Sequence, residues 1–160
     1  MNALTSTVMP KHKWFSVIDL KEAYFSLPLT PRARQRAGII TPDGAFIPKR
    51  CQFGLRNAPF KFCELIDDVT HGLKGFVFTY LDDFLIFSES ADQHLEHVRI
   101  VLSRLDKFGL FINVDKSIFG KQAVSFLGRI VSSPVFLNLF WQFLTLQFSN
   151  SPFLTILFEV

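Results

Sequence analysis

Apolar and polar positions change period several times along the chain, and each change marks an element. Trp14-Phe15-Ser16-Val17-Ile18-Asp19-Leu20 is apolar enough to be a buried strand, and it ends on a carboxylate. Gly38-Ile39-Ile40 and Ala45-Phe46-Ile47 flank Thr41-Pro42-Asp43-Gly44, whose Pro and Asp-Gly supply turn chemistry, so these residues read as a hairpin. Pro59 suits the first turn of a helix, whose face continues through Phe62, Leu65, Ile66 and Val69 until Gly72 and Gly75 stop it. Phe76 to Tyr80 and Phe84 to Phe87 are short apolar strands joined across Leu81-Asp82-Asp83, a hairpin with acids at its tip. Ser90 and Gln93 have capping-box spacing ahead of a helix whose apolar face is Leu95, Val98, Leu102, Leu105 and Phe108, with Gly109 as its stop. Phe111-Ile112, Val124 to Leu127 and Arg129 to Val131 are further short strands. The order is that of an α+β, ferredoxin-like split βαββαβ sheet with two helices on one face.

Composition narrows the class. A chain of 160 residues is one ordinary domain, with no room for several. A hydrophobic fraction of 49% against 19% charge excludes a disordered chain. The two cysteines, Cys51 and Cys63, neither form a disulfide framework nor have metal-ligand spacing. The first residues, MNALTSTVMPKHKW, lack the apolar region of a secretion signal, so an intracellular chain is expected.

The net charge of +3 is unevenly placed. Seven basic residues between Arg32 and Lys61 face a single acid, Asp43, which gives that segment +6 and leaves −3 for the rest. A basic stretch beside a carboxylate cluster suits a place where a phosphate backbone meets metal ions, although a solvated hairpin carries such charge as well. From Ile130 onward the only charged residue is Glu159, and six phenylalanines fall between Pro134 and Val160. Polar Asn138, Gln142, Thr145 and Ser149 recur at helical spacing, opposite Leu137, Phe140, Trp141, Leu144 and Phe148, and Pro152 interrupts the run. That pattern predicts a helix packed on the domain and no membrane span.

Three carboxylates stand apart in sequence. Asp19 ends the first strand and Asp82-Asp83 sit at a hairpin tip, so neighbouring strands in an antiparallel split sheet bring them to one edge. Converging acids are unfavourable without a cation, and oxygen donors without His or Cys favour a hard ion such as Mg²⁺. Two such ions about 3.5–4 Å apart clamp both oxygens of a phosphoryl transfer. Asp-Asp is also a common turn dipeptide, so spacing alone leaves both readings open. His94 and His97, three apart, either pair on a metal or belong to a wet helix face, and the wet face is the expectation.

Phe15 to Leu29 (FSVIDLKEAYFSLPL) resembles the first palm motif of reverse transcriptases, and Gln52-Phe53-Gly54-Leu55-Arg56-Asn57-Ala58-Pro59-Phe60-Lys61-Phe62 their second, in its gypsy-type form. Tyr80-Leu81-Asp82-Asp83 matches the Tyr-x-Asp-Asp box. Leu105 through Lys116 is similar to the fourth motif, and Phe126-Leu127-Gly128 to the fifth. The resemblance covers residues 13–131 and implies the palm of a gypsy-class long-terminal-repeat retrotransposon polymerase, an RNA-directed DNA polymerase, with partial fingers and no thumb. It implies that Asp19, Asp82 and Asp83, with the Leu20 carbonyl as a further ligand, hold two Mg²⁺ ions, for which Mn²⁺ can substitute. Tyr24 then stands as an aromatic gate against a ribose 2′-OH. Ala23, Phe53 and Gly54 border the incoming dNTP, and Lys116 protonates the pyrophosphate leaving group. Arg56, Lys61, Tyr80, Phe126, Leu127 and Gly128 meet an RNA or DNA template-primer. For several of these a plainer role stands beside the implied one: core packing for Tyr24 and Phe53, a turn glycine for Gly54, and exposed surface for Lys116.

The same resemblance places thumb, connection, RNase H and integrase regions in the parent polyprotein, and the parent element in the cytoplasm or in virus-like particles. Residues 132–160 resemble none of these and read as an apolar tail of non-family sequence. Both ends look like truncation points, and the expected activity of the chain alone is weak or absent, as in a silent nucleic-acid-binding palm or a decayed remnant.

Overall fold

The computed structural model describes residues 11–133. Strand β1 (Trp14–Asp19) is followed by a 3-10 turn (Ala23–Ser26), helix α1 (Pro31–Arg36), hairpin strands β2 (Ile39–Thr41) and β3 (Gly44–Phe46), and helix α2 (Ala58–Val69). Strands β4 (Val77–Tyr80) and β5 (Asp83–Ser88), helix α3 (Ala91–Lys107) and strands β6 (Ile118–Lys121), β7 (Ala123–Phe126) and β8 (Arg129–Ser132) complete it. The main sheet has the order β4-β5-β1-β6 and every neighbouring pair is antiparallel, which is the split βαββαβ arrangement. β2–β3 and β7–β8 are separate two-stranded sheets. The helix expected near 137–148, and all of the apolar tail beyond Ser133, lie outside the described residues.

Alternation along β1 and β5 divides the core. Ile18, Leu20, Phe84 and Ile86 face the helices, where they join Phe62, Ile66 and Val69 of α2 and Val101 and Leu105 of α3. Phe15, Val17, Leu85 and Phe87 face the other way and are covered by Val124, Phe126 and Val131 of the β7–β8 hairpin. Phe15, Ile18, Phe84, Leu85, Ile86 and Phe87 are fully buried, so β1 and β5 are the two-sided centre of the molecule.

The capping signals act much as the sequence indicates. Ser90 Oγ accepts from the Gln93 N–H at 3.3 Å, while the Gln93 side chain accepts from the Glu89 N–H, one residue before its usual partner. At the far end Gly109 (φ 67°) sits in the left-handed region; its N–H donates to the Asp106 carbonyl and the Leu110 N–H to that of Leu105, a complete Schellman closure. Leu105 and Leu110 are both core residues, so the closure returns the chain to β1.

Three expectations are corrected. Phe111-Ile112 is a single bridge to Leu20, and the strand that flanks β1 is β6, whose four residues are all exposed and carry no burial pattern. Helix α1 was not expected, because it buries nothing; Thr30 Oγ1 caps the Ala33 N–H and Pro31 starts it. His94 is not on a wet face. It is buried, with Nε2 2.7 Å from Ser16 Oγ and Nδ1 2.8 Å from Ser88 Oγ, while Leu95, expected inside, is 63% exposed. Ser88 Oγ also lies 2.8 Å from His97 Nδ1, and His97 stacks on Phe76. Strand and helix together bury this polar cluster because every member has a partner.

Candidate functional site

The site grows from the end of β1. Asp19 stands opposite Asp83 of β5, Ile18 opposite Phe84, and Tyr80 of β4 opposite Asp83. Both backbone groups of Asp19 turn away from β5: its carbonyl accepts from the Asn113 N–H at 2.8 Å, and its N–H donates to Ser117 Oγ at 3.2 Å. Asp19 and Asp83 therefore form a non-hydrogen-bonded pair, the kind in which Cα atoms approach to about 4.5 Å and side chains stand closest. Asp82 lies exposed in the two-residue turn, where its carbonyl accepts from the Leu20 N–H. Leu81 beside it has φ 53°, a strained value for a leucine.

Electrostatics follows from that pairing. The Asp83 carboxyl is pushed above the ordinary carboxylate range, first by burial and then by the charges of Asp82 and Asp19. Like charges placed directly across a strand pair destabilise a sheet, and a divalent cation relieves them. Carboxylate oxygens on adjacent strands are the right donors for a hard ion. Among the described residues no three His, Cys, Asp or Glu side chains are gathered closely enough to enclose one, so the carboxylates share a sheet end without forming a closed cage. Leu20 has its side chain buried, which leaves only its backbone for the role assigned to it.

Beyond β1 the chain passes through Glu22, in the left-handed region at φ 52°, into the Ala23–Ser26 turn. Ala23 is buried, and the half-buried Tyr24 ring lies between Phe62 (centroids 5.4 Å apart) and Phe53 (5.6 Å). Tyr24 thus joins core to surface, since Phe53 is 70% exposed. Gly54 has φ 86°, and a Cβ there would meet nothing within 4 Å: its backbone conformation requires glycine, and its surroundings are open. A cavity of about 470 Å³ lies beside this turn, lined by Lys21, Glu22, Phe25, Arg50 and Phe111 among others.

The remaining residues are more dispersed. Arg56 is exposed ahead of α2, and Lys61 on α2 is held 2.7 Å from Glu64. Within the basic segment Arg34 and Arg50 donate to the Leu29 and Ser26 carbonyls, while Arg32, Arg36 and Lys49 are exposed. Tyr80 is exposed at the end of β4, beside the acids. Phe126 is buried against Phe78 and so presents no side chain to a ligand, whereas Leu127 and Gly128 (φ 50° and 73°) form the exposed turn of β7–β8. Lys116 is exposed on the 113–117 turn that meets Asp19. Sequence reading missed Ser117 and Asn113, which carry no periodicity and act through hydroxyl and backbone. It also missed Glu22 and Leu81, whose positive φ values bracket the carboxylates, and it gave no sign that Leu127, expected at the primer, adopts the same left-handed conformation.

Comparison with known proteins bears on this geometry. The family model for reverse transcriptase (RNA-dependent DNA polymerase) matches residues 3–131. The retrovirus-related Pol polyproteins of the Drosophila melanogaster transposons opus and gypsy are each 35% identical, over 122 and 123 residues, or 76% of this chain. The genome polyprotein of Petunia vein clearing virus is 32% identical over 120 residues. The chain spans 12% of the length of the two transposon polyproteins and 6% of the viral one. A foamy viral protease-reverse transcriptase, solved with an RNA/DNA hybrid, superposes with a TM-score of 0.72 at 24% identity, covering 76% of this chain and 16% of that one.

Proposed function

Because the chain belongs to the reverse transcriptase (RNA-dependent DNA polymerase) family, we propose that its carboxylate end is the nucleotidyl-transfer site of an RNA-directed DNA polymerase palm spanning residues 13–131. The observation that carries this reading is the Asp19–Asp83 pair, two acids in direct opposition with Asp82 beside them and burial acting against the charge of Asp83. Asp19, Asp82 and Asp83, with the Leu20 carbonyl, hold the divalent ions, Mg²⁺ or in its place Mn²⁺. When bound, these ions supply charge neutralisation at the attacking 3′-OH and the leaving pyrophosphate oxygen.

The chain's own groups then orient the substrates. Tyr24, held between Phe53 and Phe62, presents a rigid ring edge to the sugar of the incoming dNTP, where a ribose 2′-OH would collide with it. Ala23, Phe53 and Gly54 border the nucleotide, the glycine leaving its backbone approachable. Lys116, exposed on the turn docked to Asp19, delivers a proton to the pyrophosphate oxygen. Arg56 and Lys61 meet template phosphates, Lys61 by exchanging its Glu64 partner for phosphate. Tyr80 and the Leu127-Gly128 turn support the primer end, with Phe126 fixing that turn from within. The foamy viral enzyme bound to an RNA/DNA hybrid supports nucleic acid as the partner class. No helix of the described residues is long and apolar enough to cross a membrane.

Phosphoryl transfer depends mostly on positioning, and this chain corresponds to 12% of its transposon relatives, so alone it is weakly active or inactive. The test is primer extension on an RNA template with Mg²⁺, alongside salt-dependent binding of the same hybrid. Expected are binding that weakens steeply with salt and, at most, slow extension that Asp82→Asn and Asp83→Asn abolish. Extension that survives both substitutions, or the absence of hybrid binding at low salt, would overturn the assignment.

A further inference from the structure

We propose that Ser117 is a positioning residue for Asp19: its hydroxyl takes the place of a strand carbonyl and fixes the backbone of the carboxylate that ends β1. The proposal rests on the assignment of Asp19 as a metal-holding group. Its basis is the way β6 leaves the sheet. Ile118 pairs with Val17, so continuing that antiparallel register by two residues would set Asp19 opposite Lys116 and bond their backbones reciprocally. The chain does not continue it. The Asp19 N–H donates to Ser117 Oγ at 3.2 Å, and the Asp19 carbonyl accepts from the Asn113 N–H at 2.8 Å.

The same hydroxyl closes the turn on which it sits. Ser117 Oγ donates to the Asn113 carbonyl at 2.7 Å, and the Ser117 N–H donates to that carbonyl at 3.0 Å. The single hydroxyl proton is thereby committed to Asn113, which leaves the oxygen lone pairs for Asp19 and fixes the direction of the bond. Both polar backbone atoms of Asp19 are held by residues 113–117, and the other edge of the strand is held by Leu20 to Asp82. Only the side-chain torsions of Asp19 stay free, and Lys116, released from the ladder, is exposed at the same place. Nothing in the sequence marks Ser117, because a serine between a lysine and an isoleucine has no helical or strand period to disturb.

The test uses the full chain and Mn²⁺ alone as the probe, read by amide hydrogen exchange and by paramagnetic broadening of backbone signals around Asp83. In Ser117→Ala, exchange at the Asp19 amide is expected to accelerate about tenfold while Ile18 and Phe84 stay protected, the loss of one part-buried hydrogen bond. The Mn²⁺ concentration for half-maximal broadening should rise about three- to tenfold, and Ser117→Thr, which keeps the hydroxyl, should restore both readings. Ser117→Cys keeps the size with a weaker acceptor, so it should lie between, and it serves if the alanine variant does not fold. Unchanged exchange at Asp19 in Ser117→Ala, or in Ser117→Cys where that is the folded variant, would overturn the proposal. So would loss of protection spread evenly over the sheet, since the hydroxyl would then support the fold at large. An unchanged Mn²⁺ response in Asp19→Asn would instead overturn the metal assignment, and the exchange reading would still decide the role of Ser117.

Discussion

Strands β1 and β5 carry polar groups at two places along their length, and the two places are built on opposite rules. Where Ser16 and Ser88 face the helices, each polar atom has a partner: the Gly120 N–H donates to Ser16 Oγ, His94 bridges both serines, and His97 joins at Ser88. Three residues further along β1, on the opposite face, Asp19 and Asp83 oppose each other with like charge. The first cluster is neutral, buried and saturated, and its contribution is to the fold. The second is left electrostatically unsatisfied at an open sheet end, and the proposed cation site rests on that imbalance. The same pair of strands that is stiffened by one cluster thus bears the strain of the other.

The sharpest way to break this contrast is to empty the saturated end. His94→Ala should cost about 3 kcal/mol, seen as a melting temperature lower by about 10–15 °C, because it leaves a cavity and removes a partner from two buried hydroxyls. Acid should do nearly as much without mutation. Burial first, and the charge of His97 second, lower the His94 pKa to about 4, below the 6.5 of an unfolded histidine. A depressed base makes its full contribution above pH 6.5 and loses it as pH falls toward 4, so about 3 kcal/mol should disappear across that window. Denaturant titrations at pH 7.5 and 4.5, with His94→Gln losing most of the difference, check the sign and the source.

At the other end the expected sign is reversed. In the absence of divalent ions Asp83→Asn should stabilise the chain by up to about 1 kcal/mol, since it removes one of two opposed charges, while it abolishes any response to Mn²⁺. A variant that melts lower in metal-free buffer would show that the acids are compensated within the chain. The smallest expected effect is at the β7–β8 turn, where Leu127 adopts φ 50° ahead of Gly128. Leu127→Asn should raise stability by about 0.5 kcal/mol, because asparagine tolerates that conformation, and it should slow any primer extension if the leucine contacts the primer.

How far each region could be read from sequence follows the same division. The central strands, both long helices and the hairpins announce themselves through alternation, capping residues and turn chemistry at Ser90, Gly109 and Asp43-Gly44. The convergence of Asp19 with Asp82-Asp83 was legible because an antiparallel split sheet makes their strands neighbours, although the residues alone also fit an ordinary turn and strand end. His94 was not, since a histidine at a helical spacing that favours solvent gives no sign that two serines, 78 and 6 positions away, will meet it. Strand β6 was missed because its four residues are exposed and its pairing with β1 shifts between Phe15 and Val17. Helix α1 escaped because its cap and proline, not an apolar face, hold it. His94 and β6 depend on partners distant in the chain, which no local pattern encodes, whereas the signals of α1 are local but carry no apolar period.

The reach of the bond from Asp19 to Ser117, 98 positions along the chain, also bears on the order of folding. The β4–β5 hairpin closes across a two-residue turn and α3 follows at once, contacts that form within microseconds. β1 must find β5 and β6 across long loops, whose closure entropy is met before any pairing compensates it. The opposed acids are therefore brought together at a late stage, after the hairpin that supplies two of them has formed. Divalent ions present during refolding should then speed the docking of β1, a kinetic effect distinct from any they have on the finished site.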